Sequence, residues 1–148
     1  MSIQAEGATV TFSAPSGWKV VDSIQEPLDW DFAANAPHDE REFGVLVRKD
    51  KPGSTARGRY QDYLDNVHRA YDPKVCMSPD TPVTLKDGRV ITPYLFCSKY
   101  WKQRLLFMIP EGKAVTVFEF TAPTEETLKS SRGLINQMLA SYTSQAKK

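Results

Sequence analysis

Residues 104–121 restrict the fold more than any other part of the chain. Extended backbone would put Leu105, Phe107 and Ile109 on one side of residues 104–109, and Leu106 and Met108 on the other. Residues 114–121 repeat this pattern, apolar on alternating sides apart from Glu119, and Glu111-Gly112 turns the chain between the two. A strand that is apolar on both sides needs cover on both sides, which makes it a central strand. Helices on both faces of one sheet supply such cover, and 148 residues are enough to bury a core of this kind.

The rest of the chain fits around that hairpin. Ala8, Val10 and Phe12 alternate on a first strand, and Pro15, Ser16, Gly17 and Trp18 make the corner that follows. Residues 18–21 and 28–33 are short strand candidates, 35–42 a polar loop, and 43–48 a strand with Phe43, Val45 and Val47 on one side. Tyr60, Tyr63, Leu64, Val67 and Tyr71 recur at helical spacing, which predicts a helix over 57–71 that Asp72-Pro73 ends. Residues 75–77 are a short strand. Asp87-Gly88 predicts a hairpin with a type I′ turn and Leu85 facing Val90. Pro93 inside the stretch 90–101 marks an edge strand or a bulge. Pro123 and Thr124 open one last helix, which buries Leu128, Leu134, Ile135, Met138, Leu139 and Tyr142. The order predicts an α+β fold: a mostly antiparallel β-sheet flanked by helices on both faces, an α/β/α sandwich. The chain reads as a single domain, 1–148, with 143–148 a flexible tail.

Net charge is +1, which gives no long-range field to gather nucleic acid, so no nucleic-acid partner is expected. No apolar run spans a bilayer. The first residues lack a basic stretch followed by an apolar one, so the chain is cytoplasmic as written, or periplasmic if an export signal has been removed. Cys76 and Cys97 form no CxxC, and no histidine lies beside them to complete a metal site. Extending the register from the Asp87-Gly88 turn sets Ser78 opposite Cys97 and Cys76 near Lys99, out of register for a disulfide. Both the paired and the reduced state stay open.

Candidate chemistry is sparse. His38, Asp39 and Glu40 are the one acid–imidazole cluster, and a solvated loop accounts for them better than a cation site. His68 borders the helical stripe as a structural residue. Asp87, Gly88 and Arg89 are sufficiently explained as a turn. No nucleotide, zinc or nucleophile-elbow motif occurs, so no catalytic residue and no cofactor is expected. The stretch that stands out is Tyr94, Phe96, Tyr100 and Trp101 interleaved with Lys99, Lys102 and Arg104. Tyr, Trp and Arg anchor interfaces, and alternation puts Tyr94, Phe96 and Tyr100 on one face. Tyr60 and Tyr63 of the helix would meet them there around a cleft. Pro15, Gly17 and Trp18 are structural: a corner and its plug.

This arrangement resembles the PsbP-like family, which includes the photosystem II extrinsic protein, the Ran-binding Mog proteins and bacterial relatives. The resemblance rests on Pro15-Ser16-Gly17-Trp18 after the first strand, a helix after a Val-Leu-Val strand, a Gly88-Arg89 hairpin, two long aromatic strands, and a last helix ending in Ser141-Tyr142. It implies a non-enzymatic protein-binding accessory or chaperone-like adaptor whose partner is another protein, with a homodimer left open. The alternative is a carrier that holds a small apolar ligand or lipid in an aromatic-lined cleft.

Overall fold

The structure is a computed structural model that describes residues 2–5, 8–20, 31–49, 76–97 and 103–146. Its strands are β1 (Ser2–Ala5), β2 (Ala8–Thr11), β3 (Lys19–Val20), β4 (Phe32–Asn35), β5 (Glu42–Lys49), β6 (Cys76–Pro79), β7 (Val83–Thr84), β8 (Val90–Ile91), β9 (Tyr94–Cys97), β10 (Gln103–Glu111), β11 (Ala114–Ala122) and β12 (Thr143–Ala146). Its helices are α1 (Glu125–Ser130) and α2 (Arg132–Ala140). The large sheet runs β3-β4-β5-β11-β10-β9-β6, with every neighbour antiparallel. β10 and β11 sit in its middle, where their two-sided apolarity requires them to be. A two-residue turn at Gly112 (φ +63°) and Lys113 joins them.

Cross-strand pairs share a face, so the register sorts the core. One row runs Leu95, Leu105, Phe120, Phe43 and Ala34, and the next runs Phe107, Phe118, Val45 and Phe32. These residues join a single apolar cluster with Phe12, Trp18, Leu128, Ile135, Met138, Leu139 and Tyr142. Phe43 stacks on Phe118 at 5.7 Å, and Phe12 meets both edge-on at 6.0 and 6.2 Å. Both helices therefore pack on this face, and the sheet β1-β2-β12 adds Val10 and Phe12 beside them. Leu46, Phe96, Leu106 and Val117 are buried on the opposite face, outside that cluster. The predicted helix over 57–71, expected to cover a face, lies outside the described residues, as does His68.

Several expectations change in detail. The final helix is two: Ser131 adopts φ −90° and ψ −3° between them, and its hydroxyl donates to the Thr127 carbonyl at 2.7 Å. Thr124 caps α1, accepting from the Thr127 backbone N–H at 3.1 Å. Residues 143–146 are not a loose tail, because β12 pairs with β2 along its whole length. β1 was hidden in a polar N-terminal stretch. The stretch 90–101 breaks at Thr92-Pro93: β8 pairs with β7, while β9 enters the large sheet.

The turn at Asp87-Gly88 is the most consequential change. It is a three-residue turn rather than a type I′ one. The Leu85 N–H donates to the Arg89 carbonyl at 2.8 Å, and Gly88 takes φ +93°. Thr84 then faces Val90, a shift of one residue. Three residues (80–82) separate β6 from β7 but only two (92–93) separate β8 from β9, which adds a second residue of shift. The result is Ser78 opposite Leu95 and Cys76 opposite Cys97. The sequence-based register, with Cys76 near Lys99, is off by two.

Candidate functional site

Of the expected binding residues, Tyr94, Phe96 and Arg104 are described, while Tyr60, Tyr63, Lys99, Tyr100, Trp101 and Lys102 lie outside the described residues. Tyr94 and Phe96 alternate with Leu95, so they occupy the face opposite the main cluster. Phe96 is buried beside Arg104, and Tyr94 is half-buried beside Leu106. Arg104 also faces inward. Its Nη1 lies 3.1 Å from Oε1 of Glu119, which is 3% exposed. The guanidinium thus neutralises a carboxylate carried into the sheet by the central strand, a burial that would be strongly unfavourable alone. This is where Glu119, the exception in an apolar strand, finds its partner.

His38, Asp39 and Glu40 sit exposed in the β4–β5 connection. The Asp39 carboxylate is committed to Arg41, taking its backbone N–H at 2.9 Å and its Nε at 3.0 Å. These Arg41 contacts hold the Asp39 carboxyl below its ordinary value. Among the described residues no group of His, Cys, Asp and Glu is arranged to hold a metal.

Arg41, in the sequence one residue of a polar loop, organises this corner. Its guanidinium lies 5.4 Å from the Trp18 ring centroid, and its Nη1 donates to Ser131 Oγ at 3.3 Å. Trp18 in turn packs against Phe43 at 5.7 Å and Phe120 at 6.0 Å. Gly17, at φ +81°, makes the turn that delivers it.

A second polar cluster lies at the turn end of β10 and β11. Glu111 is 4% exposed. Its Oε1 accepts from the Tyr142 hydroxyl at 2.7 Å and from Arg89 Nη2 at 3.3 Å, and its Oε2 accepts from Ser144. The Tyr142 hydroxyl also contacts Thr116 Oγ1 at 2.8 Å. Burial pushes this hydroxyl far above its ordinary range; Thr116 opposes the shift and the Glu111 carboxylate adds to it. It therefore remains a fixed donor. Arg89 further donates to the Pro110 carbonyl at 2.6 Å and pairs with Asp87 at 2.8 Å. The network joins three segments distant in sequence: the β7–β8 turn, the β10–β11 turn and β12. One signal in the sequence pointed to it, since a tyrosine at the end of a buried helical stripe needs a partner for its hydroxyl.

No protein-family model matches the chain, and no curated protein does. The fold is mostly antiparallel sheet with helices on a face. It is similar to cyanobacterial PsbP (CyanoP) from Synechocystis sp. PCC 6803, with a TM-score of 0.65 over 97% of this chain and 91% of that one, at 13% identity. It is also similar to LpqN of Mycobacterium tuberculosis, a protein involved in cell envelope biogenesis, with a TM-score of 0.52 over 98% and 90% of the two chains, at 12% identity. The chain has a PsbP-like fold.

Proposed function

We propose that this chain is a non-catalytic accessory domain that binds another protein. The observation that carries the reading is the state of the two carboxylates buried among the described residues. Glu111 is held by Tyr142, Ser144 and Arg89, and Glu119 by Arg104. Acid–base catalysis needs a group poised to exchange its proton with a substrate, whereas these two are locked into the frame. The PsbP-like fold, shared with a protein involved in cell envelope biogenesis, fits an accessory role in assembly.

The binding surface we assign is the aromatic-cationic segment 94–104, with Trp101, Lys99 and Lys102 as anchors and Tyr60 and Tyr63 beside them. We further propose that the helical stripe of Tyr60, Tyr63, Leu64, Val67 and Tyr71 covers the second face of the sheet, which would complete a sandwich with helices on both faces. The burial of Leu46, Phe96, Leu106 and Val117 supports this.

Affinity capture from the native host tests the reading, using the wild type and a Lys99→Glu/Lys102→Glu variant. A specific protein recovered with the wild type and lost with the variant, at unchanged thermal stability, is the expected outcome. Equal recovery by both would remove the site from segment 94–104, and recovery of no protein would overturn protein binding.

A further inference from the structure

Cys76 and Cys97 are the only cysteines of the chain, and the structure sets them directly opposite each other on β6 and β9. The kind of pair they form can be read from the ladder. The Asp80 N–H donates to the Pro93 carbonyl at 2.9 Å, which makes 80 and 93 a hydrogen-bonded pair. Hydrogen-bonded and non-bonded pairs alternate along antiparallel strands. Counting along the uninterrupted register, Ser78 with Leu95 and then Cys76 with Cys97 are again hydrogen-bonded pairs. Such pairs hold their Cα atoms about 5.5 Å apart, within the range of about 4.4–6.8 Å that disulfides span.

The location gives the pair a purpose. Among the described residues β6 ends the seven-stranded sheet and is paired on one side only. At the far end of this strand Asp80 is tied to Arg132 of α2 at 2.5 Å. A covalent bond between Cys76 and Cys97 would fasten the opposite end.

We propose that Cys76 and Cys97 form a cross-strand disulfide that staples the edge strand β6 to β9. It forms by exchange with a donor disulfide such as oxidised glutathione. One cysteine thiolate attacks a donor sulfur and releases one donor thiolate. The second cysteine thiolate then attacks the mixed disulfide and releases the other. One S–S bond is made and one broken, and the two cysteine protons end on two donor thiols. Antiparallel pairing leaves opposed Cβ atoms about 4.5–5.5 Å apart, whereas a disulfide draws them to about 3.5–4.5 Å. Closing the bond therefore pinches the strands together, and the staple is reducible rather than permanent.

The test is equilibration of the purified full chain in glutathione buffers of graded redox ratio, natively and in urea, followed by acid quench, intact mass and non-reducing peptide mapping. The expected result is an intramolecular link between the peptides carrying Cys76 and Cys97. It should form natively at an effective concentration at least tenfold above that in urea, disappear in Cys97→Ser, and raise Tm by roughly 5–15 °C over the reduced protein. Two alkylatable thiols at every ratio would overturn the proposal. So would glutathione adducts or linked dimers alone, or equal effective concentrations in native and denatured chains. The readout does not depend on any partner, so it stands apart from the protein-binding reading.

Discussion

Tyr142 is a fully buried side chain whose hydroxyl donates to Glu111 and lies 2.8 Å from the Thr116 hydroxyl. Tyr142→Phe keeps the ring and removes the hydroxyl, so Glu111 loses a donor inside the core. The expected loss is about 1–3 kcal/mol in urea unfolding, with no change in partner capture. Trp18 presents the complementary case, because its contacts with Phe43, Phe120 and Arg41 are mostly apolar or cation–π. Trp18→Ala should cost about 3 kcal/mol. A variant of unchanged stability that loses its partner would instead make Trp18 a binding residue. Asp80 adds a pH signature. Burial alone would raise its carboxyl, but the Thr81 N–H and the Arg132 guanidinium outweigh burial and hold it below the ordinary value of 3.8. Its folded value is thus depressed relative to the unfolded chain. The stabilisation is full above about pH 4 and is lost as pH falls through the folded value. Asp80→Asn should therefore be about 1 kcal/mol less stable than wild type at pH 7, given partial exposure of the pair. The gap should close in acid, as read from urea midpoints across pH 2–7.

At the level of elements, the central hairpin was legible because burial on both sides leaves a mark on every residue: Leu105 and Leu106 are both fully buried. The edge was not legible in the same way. Placing Cys76 opposite Cys97 depends on a three-residue turn and on spacers of three and two residues, which are backbone choices with no periodic trace in the side chains. The same is true of Arg41, Glu111 and Arg89. Each was visible as a polar loop or turn residue, but its partner lies elsewhere in the chain, such as Ser131 for Arg41 or Ser144 for Arg89. The turn itself can be tested. Gly88 sits at φ +93° with open space where a Cβ would go. Gly88→Ala should therefore cost about 1 kcal/mol through backbone strain alone, measured by thermal unfolding. A neutral result would mean that the turn relaxes to another conformation, with a shifted register between β7 and β8.

Across the whole molecule, the two ends of the described chain meet. β2 lies between β1 and β12, so the small sheet is built from residues 2–5, 8–11 and 143–146. Three features of the described residues link it to the rest of the fold. Val10 and Phe12 enter the common apolar cluster. The Ser13 N–H donates to Ser141 Oγ at 2.7 Å. Ser144 reaches Glu111 at the end of β10. If these links make one cooperative unit, truncation after Tyr142 should act far from the cut. It removes the β12 ladder, exposes an edge of β2 and takes one donor from a buried carboxylate. Together these predict a loss of about 2–4 kcal/mol. Native-state hydrogen exchange distinguishes a global effect from a local one. A global effect lowers the protection of amides in β5, β10 and β11 by the same free energy as those in β2. If β2 alone loses protection while the central strands keep theirs, the small sheet opens independently. The Glu111 network would then be a local fastening rather than part of the cooperative core.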